Sequence, residues 1–382
     1  MCQREELLSP RRLRAGPLGA AAASLLATFI AVAEGQSPAP TIRAFRDQGG
    51  QVHWSPRGED RILYASRGRD GYYDVHSAAP DGSHDICLTC NTPGLPGKHV
   101  GSPAWHPSMR WIVVVAEKPV HPGTSFDALP GFGAYSDLWC LSVAGDKAIR
   151  LTDLPADPDH GVIIPRFSPD GKQLVWSARV ERPKLFDLKQ HFGYWAINIA
   201  DFVEGQVGPA LQNLRVYEPG GRAFYETYGF SRDGRRVLFC SSMNQRSSWD
   251  QQIYTIDLGS GDVRQLTQKD YNEHAFETPD GRTIVWMSNR QSTRGGTDWW
   301  MMDANGTNQR RLTYFNEPGS RDDMGKPVWA GLGSFSPDGR RFIGDIQTNL
   351  LTQAALIKMI ELPDQSPQKP RMAPRRTGVP LK

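Results

Sequence analysis

The sequence predicts an all-β protein, a six-bladed β-propeller of four-stranded blades whose ring is closed by the N-terminal strand. Three observations support this fold class. A tight-turn motif recurs six times, an apolar run follows most of its copies, and the 38 Gly and 29 Pro residues suit many short strands joined by turns. Successive copies of the motif are separated by 51, 62, 63, 47 and 58 residues, a suitable length for one blade with variable loops.

The repeated motif has the form Ser-Pro-Asp-Gly or a close variant. Its clearest copies are Phe167–Gly171, Phe230–Gly234 and Phe335–Gly339, and looser copies begin at Trp54, Trp105 and Thr278. Pro presets φ, Asp can bond to nearby backbone, and Gly can take a left-handed conformation, so the motif predicts a turn between strands. We therefore interpret its Asp residues as structural and not catalytic.

Apolar runs follow the turns. They are Ile112–Val115, Leu174–Trp176, Val237–Phe239 and Ile284–Trp286. Runs that are apolar on both faces are typical of strands buried on both sides, as the inner strands of stacked blades are. Each run therefore predicts an inner strand.

Two further signals predict the outer half of each blade. An Asp precedes the third strand at Asp74, Asp137 and Asp298. The fourth strand ends in Leu-Thr, at Leu88-Thr89, Leu151-Thr152, Leu266-Thr267 and Leu312-Thr313. The third copy differs, because its strand Tyr194–Ile199 is followed by no Leu-Thr pair.

The last blade is one strand short. Its strands Arg341–Ile346 and Leu356–Ile360 are followed by no further strand pattern after Leu362. At the other end of the chain, Thr41–Phe45 is a strand without a partner. An open ring would leave an unpaired sheet edge. We therefore expect Thr41–Phe45 to complete the last blade.

The two ends of the chain are expected to lie outside the propeller, which we assign to residues 34–362. Residues 1–33 have the parts of a secretory signal peptide: basic residues, the apolar run Gly19–Ala33, and Ala31-Val32-Ala33 as a cleavage site. An uncleaved anchor is the alternative, although the run is short for a membrane span. Residues 363–382 are rich in Pro and basic residues, so we expect a disordered tail. The predicted location is periplasmic or secreted.

Charge and cysteine content restrict the function further. Without residues 1–33, which hold four Arg and two Glu, the chain has 44 − 4 = 40 basic and 41 − 2 = 39 acidic residues, so nucleic-acid binding is not expected. Export would place the cysteines in an oxidising compartment. A local disulfide between Cys87 and Cys90 is the favoured interpretation, with free buried thiols or a metal site as alternatives.

The combined series of Ser-Pro-Asp-Gly, Asp-x-Trp/Tyr and Leu-Thr resembles the WD40-like repeats of TolB propellers over residues 41–362. The stretches Tyr271–Ala275 and Thr313–Pro318 resemble secreted bacterial TolB-like proteins, a likeness that implies a fold and no activity. Repeats of this type also build the propellers of prolyl-oligopeptidase-like enzymes and oligogalacturonate lyases. The sequence contains no G-x-S-x-G nucleophile motif of such peptidases.

Polar residues gather just before the turns, where inner strands should begin at one end of the central channel. They are His99, His160, Tyr225, Glu226, Glu273, His274, Asp322 and Asp323. Imidazole and carboxylate groups could ligate a divalent metal, and the candidate ligands are His99, His160, Glu226 and Glu273. A solvated channel mouth and a ligand-binding site are the alternatives.

Two function hypotheses follow. The first is a monomeric, non-enzymatic, extracytoplasmic binding module that uses one propeller face for a protein or glycan partner, with the long insertion Lys118–Tyr135 as a lid or docking element. The second is a metal-assisted polysaccharide lyase or hydrolase at the channel mouth, which the resemblance to oligogalacturonate lyases implies only by analogy of fold.

Overall fold

The computed structural model describes residues 39–184 and 186–363. These residues form six four-stranded antiparallel sheets, and the innermost strand of each sheet contacts the innermost strands of both neighbouring sheets. The protein is therefore a six-bladed β-propeller, as the sequence predicted. The proposed signal peptide, residues 1–33, and all but the first residue of the proposed tail, residues 363–382, lie outside the described residues.

The strands follow one another from the axis outward in each blade. The N-terminal strand is β1 (Thr41–Arg46). Blade 1 consists of β2 (Gly50–Trp54), β3 (Ile62–Arg67), β4 (Tyr73–Ala78) and β5 (Ile86–Cys87). Blade 2 consists of β6 (Val100–Trp105), β7 (Trp111–Glu117), β8 (Ser136–Ser142) and β9 (Ala148–Arg150). Blade 3 consists of β10 (Gly161–Phe167), β11 (Gln173–Glu181), β12 (Tyr194–Glu204) and β13 (Pro209–Tyr217).

The remaining blades repeat this order. Blade 4 consists of β14 (Tyr225–Phe230), β15 (Arg236–Ser241), β16 (Gln252–Asp257) and β17 (Val263–Gln265). Blade 5 consists of β18 (Asn272–Glu277), β19 (Thr283–Ser288), β20 (Asp298–Asp303) and β21 (Arg310–Arg311). Blade 6 consists of β22 (Trp329–Phe335), β23 (Arg341–Asn349) and β24 (Ala354–Glu361), with β1 as its outermost strand.

The N-terminal strand closes the ring. Thr41 on β1 pairs with Glu361 on β24, and Ile42 pairs with Ile360, in an antiparallel ladder. This pairing covers the sheet edge that the last blade would otherwise expose. The predicted closure is confirmed.

The Asp and Leu-Thr signals of the sequence are two halves of one hydrogen-bonded link. In blade 2 the Thr152 hydroxyl donates to the Asp137 carboxylate at 2.9 Å, and the Leu138 amide donates to the same hydroxyl at 2.9 Å. Equivalent hydroxyl–carboxylate bonds join Thr89 to Asp74 and Thr313 to Asp298, at 2.7 and 3.0 Å. The repeat therefore fastens the short fourth strand to the third.

The Ser-Pro-Asp-Gly turns contain a recurring set of hydrogen bonds. In blade 3 the Ser168 hydroxyl and the Lys172 amide both donate to Asp170 Oδ1, at 2.6 and 3.0 Å, and Gly171 has a φ of 76°. These bonds satisfy the turn backbone locally. The Asp of this turn has a structural role, as expected.

We predict that Gly171→Ala destabilises the protein more than Gly145→Ala. Both glycines have a φ of 76°, so alanine is strained at either site by roughly 1–2 kcal/mol. A Cβ on Gly171 would lie 2.6 Å from His106 Nε2, which contacts the Gly171 carbonyl, whereas a Cβ on Gly145 would meet no atom within 4 Å. Urea unfolding should show a loss about 1 kcal/mol larger for Gly171→Ala. Equal losses would contradict the contact with His106.

Cys87 and Cys90 form a disulfide at the end of β5, and Cys140 and Cys240 are buried free thiols. Blade 3, whose sequence lacks Leu-Thr, has a nine-residue outer strand in β13. In the described part of the chain, no helix is long and apolar enough to cross a membrane.

Candidate functional site

A cavity of about 190 Å³ lies at the end of the ring where the inner strands begin. Its wall combines the first residues of several inner strands with loops that reach over the axis. Residues from different blades meet there, and they include Gln51, Ile164, Glu226, His274, Leu332 and Asp345. Propeller channels of this kind provide convergent polar groups in a concave site, so this cavity is the candidate site.

The loop between β7 and β8 covers the cavity. Its residues Leu129–Phe132 line the cavity wall, and the Pro130 ring packs so closely on β6 that a Cβ on Gly101 would lie 2.6 Å from it. The buried Arg179 guanidinium donates to the Phe132 carbonyl at 2.5 Å, which fastens the loop to blade 3. The insertion Lys118–Tyr135 therefore reaches over this face, and we call it the covering loop.

Three of the candidate side chains converge at one side of the cavity. One ligand-type atom each of Glu226, Glu273 and His274 lies within 4.8 Å of the other two. His274 Nε2 is 3.5 Å from Glu226 Oε1 and 3.8 Å from Glu273 Oε2. Glu226 and Glu273 are both about nine-tenths buried. We call these three residues the Glu–Glu–His cluster.

A β-bulge on β18 is the reason that the adjacent residues Glu273 and His274 serve the same site. Successive side chains of a regular strand point to opposite faces. The pairing of β18 with β19 shifts between Glu273 and Phe276, and His274 has a left-handed φ of 50°. The bulge redirects the imidazole toward the carboxylates.

The surroundings orient the cluster and set its protonation. The Tyr271 hydroxyl donates to Glu273 Oε2 at 2.6 Å. Burial, followed by the neighbouring Glu273 carboxyl, raises the pKa of Glu226 well above its usual range, against an opposing effect of Arg166. Burial lowers the pKa of His274, against the attraction of Glu273. The imidazole is thus neutral near pH 7, the form that binds metals.

His99 and His160, two of the predicted metal ligands, do not join this cluster. The His99 ring is buried beside Tyr72, accepts a hydrogen bond from the Tyr73 amide at 3.2 Å, and has its pKa lowered to about 4, mainly by burial. His160 is 2.7 Å from Asp157 at the surface. Both residues come directly before the first residue of an inner strand, β6 or β10, and neither lines the axial cavity.

The remaining candidates have structural partners. The Tyr225 hydroxyl accepts from the Gly220 amide and donates to the Gly221 carbonyl, each at 2.8 Å, on the opposite side of β14 from Glu226. Asp323 forms an ion pair with Arg294, and Asp322 forms one with Arg321. These contacts anchor loops outside the cavity.

Asp345 is a cavity residue that the sequence analysis missed. It lies on β23, accepts a hydrogen bond from the Gln51 amide at 3.2 Å, and approaches the axis where Gly331 leaves room. Burial raises the pKa of Asp345 to about 7, against the effect of the Gln51 hydrogen bond. The available signal was an acidic residue inside the apolar segment Phe342–Ile346.

The closed ring and its covered axial cavity define a six-bladed propeller with a TolB-like fold. Among solved structures, TolB from Acinetobacter baumannii aligns with a TM-score of 0.51 at 20% identity, over 79% of this chain and 63% of that one. A gluconolactonase from Xanthomonas campestris aligns with a TM-score of 0.51 at 14% identity, over 85% of this chain and 90% of that one. These likenesses show the fold alone.

The sequence comparisons add no activity. An uncharacterized peptidase of Bacillus subtilis (strain 168), YuxL, is 23% identical over 200 residues. The match covers 51% of this chain and 23% of the peptidase, so the chain spans under a quarter of that relative's length. No family model matches the sequence.

Proposed function

We propose that the protein is an extracytoplasmic binding module that takes a protein or glycan partner on the face covered by the loop Lys118–Tyr135. The observation that carries this proposal is the concentration of exposed apolar side chains on the loops of that face. Antiparallel blades place every loop between second and third strands, and every connection from one blade to the next, at the end where the inner strands begin. A soluble surface rich in exposed apolar groups is typical of an interaction site.

The exposed apolar side chains come from several blades. On this face they are Val120, Phe126, Phe186, Leu188, Trp249, Tyr314, Leu350 and Leu351. Phe186 and Leu351 are 102% and 87% exposed. The eight side chains are spread over loops of several blades. This distribution suits a partner that spans the cavity mouth, as a folded protein surface or an extended glycan would.

Trp249 connects this apolar rim to the polar cluster. Its half-exposed ring lies 4.7 Å from the Phe192 ring and 6.2 Å from the Tyr271 ring, and the Tyr271 hydroxyl bonds to Glu273. An aromatic surface beside hydrogen-bonding groups suits ligands that are apolar on one side and polar on the other. A sugar ring has this character.

The proposal predicts that apolar residues of the covered face are required for binding and that equally exposed residues elsewhere are not. The full-length protein is tested on a glycan array and by quantitative cross-linking to cell-envelope proteins. We expect the double variant Phe186→Ser, Leu351→Ser to lower partner binding at least about 10-fold, the effect of losing one hot-spot contact. Trp249→Ala should lower glycan signals selectively.

Blade 3 offers the matched control. Leu214 and Val216 lie on β13, the outermost strand of blade 3 and not a loop of the covered face, and each is 57% exposed. The double variant Leu214→Ser, Val216→Ser should bind as the wild type does. Loss of binding in this control, with retention in the covered-face variant, would assign the partner to the outer edge of blade 3.

A metal-assisted polysaccharide lyase or hydrolase is the second candidate function, and the Glu–Glu–His cluster favours it. Two carboxyl groups and a neutral imidazole beside a cavity could supply an acid, a base or metal ligands. The test is incubation with acidic and neutral polysaccharides in the presence of Mn²⁺ or Zn²⁺, with chain cleavage followed by chromatography. Cleavage that Glu226→Gln abolishes would support the enzyme.

The extracytoplasmic location rests on residues 1–33. Cleavage after Ala33 would leave Glu34 as the first residue of the mature protein. Mass spectrometry of the protein recovered from the periplasm or medium tests this assignment. Recovery of the full-length chain in the cytoplasm would contradict it.

A further inference from the structure

The Glu–Glu–His cluster contains a buried carboxyl group, Glu226, whose negative charge would have little local compensation if it ionised. Glu226 is 5% exposed, and in the described part of the chain no backbone or hydroxyl group donates a hydrogen bond to its carboxylate. Arg166 attracts this charge at longer range, but its guanidinium donates to the carbonyls of Pro165 and Pro103. Buried charged groups are normally paired or bound to metals.

A second carboxylate, that of Glu273, raises the free-energy cost of burying negative charge in this cluster. Glu273 lies within the same 4.8 Å group, and burying two negative charges so close together costs free energy unless a cation or a proton lies between them. Tyr271 holds Glu273 in place through its 2.6 Å hydrogen bond. The His274 Nε2 atom faces both carboxylates, so an imidazole nitrogen completes the set of three ligand atoms.

The distances from the imidazole to the two carboxylates are close to those between ligands around one ion. Metal–ligand bonds of about 2.1 Å in a tetrahedral arrangement separate neighbouring ligand atoms by about 3.4 Å. The distances from His274 Nε2 to the two carboxylates are 3.5 and 3.8 Å. Glu226 and His274 also line the cavity, so an ion could enter from solvent and keep an open coordination position.

We propose that Glu226, Glu273 and His274 bind one divalent transition-metal ion at the side of the axial cavity. Two carboxylates with one imidazole suit Mn²⁺ and Zn²⁺, because carboxylates favour Mn²⁺ and imidazole favours Zn²⁺. The hydroxyl of Tyr271 acts as a positioning group for Glu273, as outer partners of metal ligands commonly do. The site differs from the predicted ligand set, since His274 replaces His99 and His160.

The experiment is isothermal titration of the full-length protein, freed of metal by a chelator, with Mn²⁺ and then with Zn²⁺. We expect one ion per chain with a dissociation constant in the micromolar range or tighter. Glu226→Gln and His274→Ala should each weaken binding at least about 100-fold, because each removes a ligand. Tyr271→Phe should weaken it about 10-fold, in the range measured for outer-shell partners.

His160→Ala is the matched control, since it removes an imidazole that lies beside a carboxylate outside the cavity. It should bind as the wild type does. Glu226→Gln keeps the shape of the side chain, so it tests the site even if His274→Ala does not fold. Failure of the wild type to take up a stoichiometric ion, unchanged affinity in Glu226→Gln, or equal weakening in His160→Ala would overturn the proposal.

This inference deepens the second candidate function, because it names the ion ligands of that site. The metal site and the enzymatic activity can be disproved independently of each other. Stoichiometric ion uptake without polysaccharide cleavage would leave the metal site standing and remove the enzyme. Cleavage that is unchanged by chelation, in a protein that takes up no ion, would remove the metal site and leave a polysaccharide-cleaving enzyme that needs no metal.

Discussion

Replacing Asp298 by alanine is expected to lower the free energy of unfolding by about 3–5 kcal/mol, the usual effect of removing one partner of a buried ion pair. Asp298 begins β20 and is 1% exposed. Its carboxylate accepts hydrogen bonds from the Arg311 guanidinium at 2.9 Å, the Thr313 hydroxyl at 3.0 Å and the Phe315 amide at 2.6 Å. Alanine would leave the buried Arg311 charge without this partner.

The measurement is urea unfolding followed by tryptophan fluorescence, with Asp303→Ala as the control. Asp303 ends the same strand and accepts hydrogen bonds from exposed Asn308 and Thr307, so its loss should cost about 1 kcal/mol or less. Similar losses in the two variants would show that the link between the third and fourth strands contributes little to stability.

Asp345→Asn is expected to stabilise the protein at pH 8 by on the order of 2–3 kcal/mol and to remove a pH dependence of stability. The pKa of Asp345 is raised to about 7 in the folded protein, mainly by burial, whereas an unfolded Asp has a pKa of about 3.9. The folded state therefore holds its proton to higher pH. The stability that this carboxyl supports is complete below about pH 4 and is lost as pH rises to about 7.

The full difference in pKa corresponds to about 4 kcal/mol, and water in the cavity reduces that figure because Asp345 is partly exposed there. Asparagine cannot ionise, and its Oδ1 can still accept from the Gln51 amide. The measurement is unfolding free energy at several pH values between 4 and 8 in both proteins. Glu226 and His274 line the same cavity, and taking the difference between the two proteins isolates Asp345.

Asp47→Asn provides the control for charge alone, since Asp47 is exposed between β1 and β2. It should leave the pH dependence unchanged. Parallel curves for the wild type and Asp345→Asn would show that Asp345 is ionised throughout this range, and would contradict the effect of burial on its pKa.

Most of the fold could be predicted because its signals are local and repeated. A Ser-Pro-Asp-Gly turn acts within five residues, and the Asp and Leu-Thr signals act within one blade, as the bonds of Asp137 with Thr152 show. Ring closure could be predicted because a missing strand at one end of the chain matched an orphan strand at the other. Each inference needed only two general rules: turn residues form local hydrogen bonds, and a sheet edge is not left unpaired.

The candidate site was only partly predictable. The position of a residue relative to a turn in the sequence does not determine how far its side chain lies from the propeller axis. His99 and Glu226 both occur shortly before a turn, yet His99 is buried beside Tyr72 and Glu226 faces the cavity. Asp345 lies on a second strand, where the pre-turn rule does not apply. Its side chain reaches the cavity past a glycine on β22.

By itself, the sequence determined the class of the protein: six blades, four strands in each, turns at fixed places and a ring closed by the N-terminal strand. Only the tertiary structure decided which polar side chains meet. Strand alternation would send Glu273 and His274 to opposite faces, and the bulge at His274 brings both toward Glu226 on another blade. The reason is that the backbone conformation of a single residue and the packing of two blades set these distances, and neither leaves a periodic pattern in the sequence.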